Sequence, residues 1–383
     1  MSPFSTPRKS SAYTTMAATA ITDALTDGGL NLEDIQQVYA GYVYGDSTSG
    51  QNALYQVGLP GVPVVNVNNN CSTGSSALWL ARQTVQSGAA DCVLALGFEQ
   101  MRPGALGSLW DDRPSPFDQL TSVAESAQGV HPDTPLAAQL FGGAGTAYAQ
   151  RYDVDPQVFA HVSVKARRHA AANPNAVFRD PLTVDQVLDS PKVFGPLTRL
   201  QCCPPTCGAA AVVVCSPAFA RRRGLGAGVD IVAQAMTTDQ PSSFTGDLMN
   251  LVGADMTRRA AEQVYEAAGV GPEEIPVVEL HDCFTTNEVI TYETLGLTPE
   301  GTAEKFILDG QNTYGGRVVT NPSGGLLSKG HPLGASGLAQ CAELVWQLQG
   351  RAGQRQVPDA HTGLQHNLGL GGACVVTLYQ KVD

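Results

Sequence analysis

Positive charge is scarce in this chain. Its 23 lysines and arginines stand against 35 aspartates and glutamates, a formal net charge of −12. That balance excludes a general binder of nucleic acid or of anionic membranes, both of which need a basic face. It leaves room only for a local basic patch around a phosphorylated ligand. Long apolar runs are missing too. No stretch reaches the roughly 18 residues of a spanning helix. Met1 to Ser10 is polar, holds two prolines and has no apolar centre, so it is no secretory signal. The last residues, Tyr379-Gln380-Lys381-Val382-Asp383, are not a Ser-Lys-Leu type tail. Metal-ligand spacing is also absent. The nine cysteines are scattered, and no His or Cys pair completes a zinc set with Cys202, Cys203 and Cys207. An odd number of cysteines without a secretory signal implies free thiols in a reducing, intracellular compartment.

What is present is a glycine-rich α/β composition. The 383 residues are 43% hydrophobic and 15% charged, with 41 glycines. Such a chain can bury a large core in two or three domain-sized units.

The chain repeats itself. Residues 12–27 read as a helix ended by Gly28-Gly29, then Leu32-Glu33-Asp34-Ile35 and a strand from Gln37 to Val43. Residues 256–268 read as a helix ended by Gly269, then Glu273-Glu274-Ile275 and a strand from Pro276 to His281, an offset of 240. Cys71-Ser72-Thr73-Gly74-Ser75-Ser76-Ala77-Leu78 matches His331-Pro332-Leu333-Gly334-Ala335-Ser336-Gly337-Leu338 at an offset of 260. The closing strands, Gly208 to Val214 and Gly372 to Leu378, match at 164. Three matches in one order indicate a duplication. The falling offset places roughly 96 extra residues in the first copy, where residues 112–205 turn polar and loop-like, with helical pieces near 138–170. One element has no mate: the strand Val229 to Met236 precedes the second copy, and its partner would lie before residue 1.

The duplication has a chemical consequence. The β-branched run Val64-Val65-Asn66-Val67 leads through Asn68-Asn69-Asn70 to Cys71, where a helix begins. A thiol there faces the positive end of a helix dipole, which is expected to lower its pKa. His331 occupies the equivalent corner of the second copy. Both corners lie at the C-terminal ends of strands, where open α/β sheets carry their active sites. A third cluster, His281-Asp282-Cys283-Phe284, follows an apolar strand. In extended backbone His281 and Cys283 point to one side and can address one ligand.

These motifs together resemble the thiolase superfamily, and more narrowly its sterol carrier protein 2/X type. The likeness runs from about Phe4 to the end and includes Gln201-Cys202-Cys203-Pro204, Asn312-Thr313-Tyr314-Gly315-Gly316 and His366-Asn367-Leu368-Gly369. It implies a thiolase-like α/β fold of two similar halves in five layers. The N-terminal half would take residues 1–111 and 206–225, an inserted loop domain 112–205, and the C-terminal half 226–383. It implies an acyltransferase of lipid metabolism, such as fatty acid β-oxidation, with coenzyme A as cosubstrate, no permanently bound cofactor and no metal. The reaction would be thiolytic cleavage of a 3-oxoacyl-CoA, or the reverse Claisen condensation. Cys71 would be the acyl-accepting nucleophile and His331 its base. His281 would stabilise the enolate oxygen, and Cys283 would be the acid/base. The backbone N–H groups of Cys71 and Gly369 would form a second oxyanion hole. The resemblance further implies a homodimer and a peroxisomal location, although the missing tail leaves a cytoplasmic one equally open. Two rival readings stand beside this one: a biosynthetic condensing enzyme acting on a non-fatty acyl chain, and a non-catalytic acyl-CoA or lipid-binding relative. The chain departs from the pattern where Pro205-Thr206-Cys207-Gly208 replaces the usual Asp-Gly, and where Asn367 stands at the place of the ordinary C-terminal cysteine.

Overall fold

The computed structural model describes residues 1–102, 110, 112–226 and 228–382. The first half runs α1 (Tyr13–Asp27), β1 (Gln37–Gly41), α2 (Ser49–Tyr55), β2 (Val64–Val67), α3 (Thr73–Gln86) and β3 (Cys92–Glu99). An insertion follows, with α4 (Asp118–Gln128), α5 (Leu136–Tyr152), α6 (Val158–Ala170), α7 (Val184–Leu188) and the short hairpin β4 (Lys192–Phe194), β5 (Leu197–Thr198). The half closes with β6 (Gly208–Cys215) and α8 (Pro217–Arg223). The second half runs β7 (Val229–Thr237), α9 (Leu248–Leu251), α10 (Ala254–Ala268), β8 (Val277–Glu279), α11 (Thr285–Thr294), α12 (Ala303–Leu308), β9 (Val319–Thr320), α13 (Leu333–Leu348), β10 (Thr362–Gly369) and β11 (Ala373–Lys381).

The two sheets share one plan. In the first, β1 lies parallel to β2 and β3, and β6 runs antiparallel to β3. In the second, β8 lies parallel to β9 and β10, and β11 runs antiparallel to β10. The second sheet adds β7 outside β11. Among the described residues no strand lies in the corresponding place beside β6, so four strands face five. Only the backbone near Ser2 and Ser5 borders the start of β6, through Ala209 and Cys207. From Val212 to Cys215 the strand is half-buried.

Helix α1 covers the outer face of the first sheet, α3 and α13 fill the middle, and α10 covers the second sheet, which gives five layers. Strands β3 and β8 are buried from end to end, as expected of inner strands covered on both faces. The insertion packs on the second half, with α5 and α6 against α11. It is more helical than its sequence suggests. Gly142, Gly143 and Gly145 weaken the helical signal of α5, yet each lets α5 approach a neighbour, Phe194, Gln128 and Thr286 respectively. No helix among the described residues is long and apolar enough to cross a membrane.

The middle layer depends on glycine. A Cβ on Gly74 or Gly97 would collide with the backbone carbonyl of Gly334, and one on Gly337 with Ser75. Backbone therefore touches backbone where α3, β3 and α13 meet. Overpacking such a contact costs about 1–3 kcal/mol. The Gly97→Ala variant is expected to lose stability in that range, read as a lowered midpoint in thermal or urea unfolding; an unchanged midpoint would show that the contact yields freely.

Candidate active site

Cys71 sits in the turn between β2 and α3. Asn70 adopts the left-handed conformation (φ +50°), which asparagine tolerates better than most residues. The Thr73 hydroxyl accepts the Asn69 N–H at 2.9 Å and donates to the Asn70 carbonyl at 2.6 Å, locking the turn. Cys71 is half-buried, and desolvation by the protein packed around it, followed by the Glu99 carboxylate, pushes its thiol up to about 12. This reverses the acidification expected from the helix N-terminus. Desolvation of a thiolate outweighs the dipole here. The backbone amides of Cys71 and Leu370 oppose the rise from beside the sulfur. Gly369 ends β10 against the same turn, where a Cβ would strike Asn69 and Ser72. The amide nearest the sulfur from that strand end is thus Leu370's, one residue beyond the expected Gly369.

His281 follows β8 and is buried. Burial first, then His331 and His366, hold its imidazole well below the usual histidine range, so it is neutral. Its tautomer can be traced through a chain of hydrogen bonds. The Tyr379 hydroxyl donates to Gln365 Oε1. Gln365 Nε2 donates to the Ser75 hydroxyl at 2.8 Å. Ser75 donates to Asn367 Oδ1 at 2.8 Å. That fixes the Asn367 amide, whose Nδ2 donates to the Cys71 carbonyl at 3.2 Å and lies 3.0 Å from His281 Nδ1. Nδ1 therefore accepts, and the proton of His281 resides on Nε2.

His331 carries the opposite tautomer. Its Nδ1 lies 2.6 Å from the Ser336 hydroxyl, which itself donates to the Pro332 carbonyl at 3.0 Å. With that hydroxyl proton on the Pro332 carbonyl, Nδ1 donates to the Ser336 oxygen and Nε2 holds a bare lone pair. That Nε2 is buried and has no hydrogen-bond partner. Burial and Lys329 push the ring down to about 3. The His331 backbone N–H is held by the Thr206 hydroxyl at 2.5 Å.

The Cys71 sulfur and one ring nitrogen of each histidine lie within 4.8 Å of one another, and the two rings meet edge to face at 5.1 Å. Distance alone would admit a metal ion. Cys283 is buried beside them, and its thiol is pushed up by burial and by the nearby Cys203 and Cys71. Cys203 is tied in through its N–H to the Cys283 carbonyl at 2.8 Å.

Two carboxylates brace this cluster. Glu279 accepts the Ser323 N–H at 3.0 Å and the Ser323 hydroxyl at 2.8 Å, and it pairs with the buried Lys329. Asp282 accepts the N–H groups of Leu326 and Leu327 at 2.7 and 3.3 Å. Together they pin the single π-helical turn at Gly325–Lys329 that delivers His331. Gly325 must be glycine: its φ is +60°, and a Cβ would occupy the place of the Asp282 carboxylate.

The chain matches the sequence model of the thiolase N-terminal domain over residues 1–218 and that of the thiolase C-terminal domain over 240–379. It belongs to the thiolase family. It is 51% identical over 371 residues to sterol carrier protein 2 of Rattus norvegicus, spanning 96% of this chain and 68% of that protein. It is 33% identical to an acetyl-CoA acetyltransferase of Methanothermobacter thermautotrophicus, over 94% of this chain and 92% of that protein. Among solved structures, an Ltp2-ChsH2(DUF35) aldolase superposes with a TM-score of 0.84 at 24% identity, over 99% of this chain and 95% of the other, a likeness of fold.

The four side chains singled out from sequence, Cys71, His281, Cys283 and His331, thus meet in one place in this thiolase-family chain. Sequence reasoning missed the roles of Thr206, Glu279, Asp282, Glu99 and Asn367. Thr206 and Asn367 carried a signal, each inside a departure from the thiolase pattern, and Asp282 lay inside the His281–Phe284 cluster. Cys207 lies elsewhere, buried against the Met101 backbone. If Asn367 sets the His281 tautomer, Asn367→Asp should move the proton to Nδ1, because a carboxylate can only accept. Nitrogen-15 spectra of the histidine rings should show that switch, and turnover should fall about 10²–10³-fold, as for loss of one oxyanion donor. An unswitched ring would refute the assignment.

Proposed function

We propose that this chain is a thiolase acting on 3-oxoacyl thioesters of coenzyme A through an acyl-enzyme on Cys71. The observation that carries this reading is the pair of opposed tautomers around one thiol. His331 offers a lone pair and can take the Cys71 proton. His281 offers an N–H and can stabilise an oxyanion. A binding protein has no use for that division of labour.

The steps follow from these groups. His331 Nε2 takes the thiol proton as the sulfur attacks the 3-oxo carbonyl, and the amides of Cys71 and of the Gly369–Leu370 strand end receive the developing oxyanion. The C2–C3 bond breaks, and its electron pair becomes the enolate of acetyl-CoA. His281 donates to the enolate oxygen while Cys283 protonates the carbon. The thiol of free coenzyme A then gives its proton to the Cys283 thiolate and attacks the Cys71 thioester; the departing Cys71 sulfur takes back the proton held on His331, and the shortened acyl-CoA is released. Read backwards, the same groups perform a Claisen condensation. The family relationship and the acetyl-CoA acetyltransferase likeness support coenzyme A as the carrier.

Incubation with a 3-oxoacyl-CoA in the absence of free coenzyme A should add the acyl mass to the Cys71 peptide. No adduct with short, long or 2-methyl-branched substrates would overturn the proposal. Cys283→Ala should still be acylated by a simple acyl-CoA yet exchange the acetyl α-protons at least about 10²-fold more slowly, the usual scale of acid–base assistance. Retained exchange would remove Cys283 from its role.

We further propose a homodimer, formed through the free edge of β2, which leads to Cys71. Val65 is 42% exposed there, and Tyr55 and Leu59 add exposed apolar surface from α2 and the loop after it. An open apolar edge of this kind invites pairing. Val65→Lys should convert a dimer to monomer in sedimentation equilibrium, and an unchanged mass would move the contact elsewhere.

A further inference from the structure

The chemistry above leaves one buried carboxylate beside the nucleophile unused. Glu99 is the last residue of β3 and is fully buried. No lysine, arginine or histidine among the described residues forms an ion pair with it; its partners are backbone amides. Oε1 accepts the Tyr44 N–H at 2.9 Å, and Oε2 accepts those of Val43 and Gly334, each at 3.1 Å. Gly334 lies in the first turn of α13. His331 is three residues before it, and Ser336, which orients the His331 ring, is two residues after it. A single carboxylate of the first half therefore grips the helix that carries the base.

A neutral cap would suffice to hold a helix N-terminus. Burying a carboxylate without a cation is costly, and this one lies close enough to Cys71 to oppose its ionisation. The other titratable groups that face the sulfur are Tyr44 after β1, Cys203 before β6, His281 and Cys283 after β8, and His331 before α13. All are neutral in their buried states. Lys329 acts on His331, and Asp282 on Cys203 and Cys283. Glu99 is the anion that bears on Cys71 itself.

We propose that Glu99 is a positioning residue for the Cys71–His331 pair: it holds the His331 helix against the nucleophile's half and sets a negative charge beside the thiol. This rests on Cys71 being the nucleophile. The sign is fixed by electrostatics. An anion raises the cost of a nearby thiolate, so removing the charge makes the thiol more acidic. Burial lifts the Glu99 carboxyl to about 7, so its influence is full above that pH and fades below it.

The test is the pH profile of Cys71 alkylation by iodoacetamide, located by peptide mass, in the wild-type chain and in Glu99→Gln and Glu99→Asp. In Glu99→Gln the midpoint should move down by about one pH unit, equivalent to about tenfold faster alkylation below the midpoint. Thiolase turnover should fall meanwhile, because an amide cannot accept from all three N–H groups. Glu99→Asp keeps the charge but withdraws it from Gly334. Its midpoint should fall by less than about one pH unit while turnover falls, and this decides the matter if Glu99→Gln does not fold. A midpoint that is unchanged or raised in Glu99→Gln, or lowered by about one pH unit or more in Glu99→Asp, would reduce Glu99 to a helix anchor and overturn the proposal. A wild-type Cys71 that resists alkylation at every pH would instead overturn the nucleophile reading, and this inference with it.

Discussion

Everything at the site depends on a backbone contact in the middle of the molecule. Helices α3 and α13 begin beside each other because Gly74, Gly97, Gly334 and Gly337 leave no side chain between them. Any Cβ there would force the helices apart, and the thiol at one N-terminus would leave the imidazole at the other. The duplicated sheets hold these helices from both sides. The two copies thus do more than repeat a fold: they present two strand–helix corners to each other, one with a sulfur and one with a ring nitrogen.

The electrostatics follow from how closely that contact is packed. With water excluded, burial raises the thiols and lowers the imidazoles, so the resting site is built from uncharged donors and acceptors. The acidic groups stand at one remove: Glu279 with Lys329, Asp282 on its two amides with its carboxyl lifted to about 8 by burial, and Glu99 on its three. They shape the loops instead of facing the reacting atoms. Developing charge in such a site meets fixed dipoles and pays little for reorganisation.

Much of this was legible in the sequence, for a specific reason. A duplication writes the fold twice, so matched segments disclosed the paired corners and gave Cys71 its mate in His331. What stayed hidden depends on pairs far apart in the chain. Ser75 meets Asn367 across 292 positions, and Glu99 meets Gly334 across 235. No local pattern marks either pair. The acidity of Cys71 was misjudged because a helix terminus is visible in sequence whereas enclosure is not. The insertion looked loop-like because glycines that permit close helix packing also erase helical periodicity.

The bonds running from Tyr379 through Gln365, Ser75 and Asn367 to His281 have a polarity. Backbone carbonyls fix the same sense, Gly337 accepting from Gln365 Nε2 at 2.7 Å and Cys71 from Asn367 Nδ2 at 3.2 Å. A hydroxyl on the closing strand of the second half thus lies on one directed path with a distant imidazole. Read this way, the core of the protein is a wire that carries one bit, the location of a proton, and its first link touches neither substrate nor solvent.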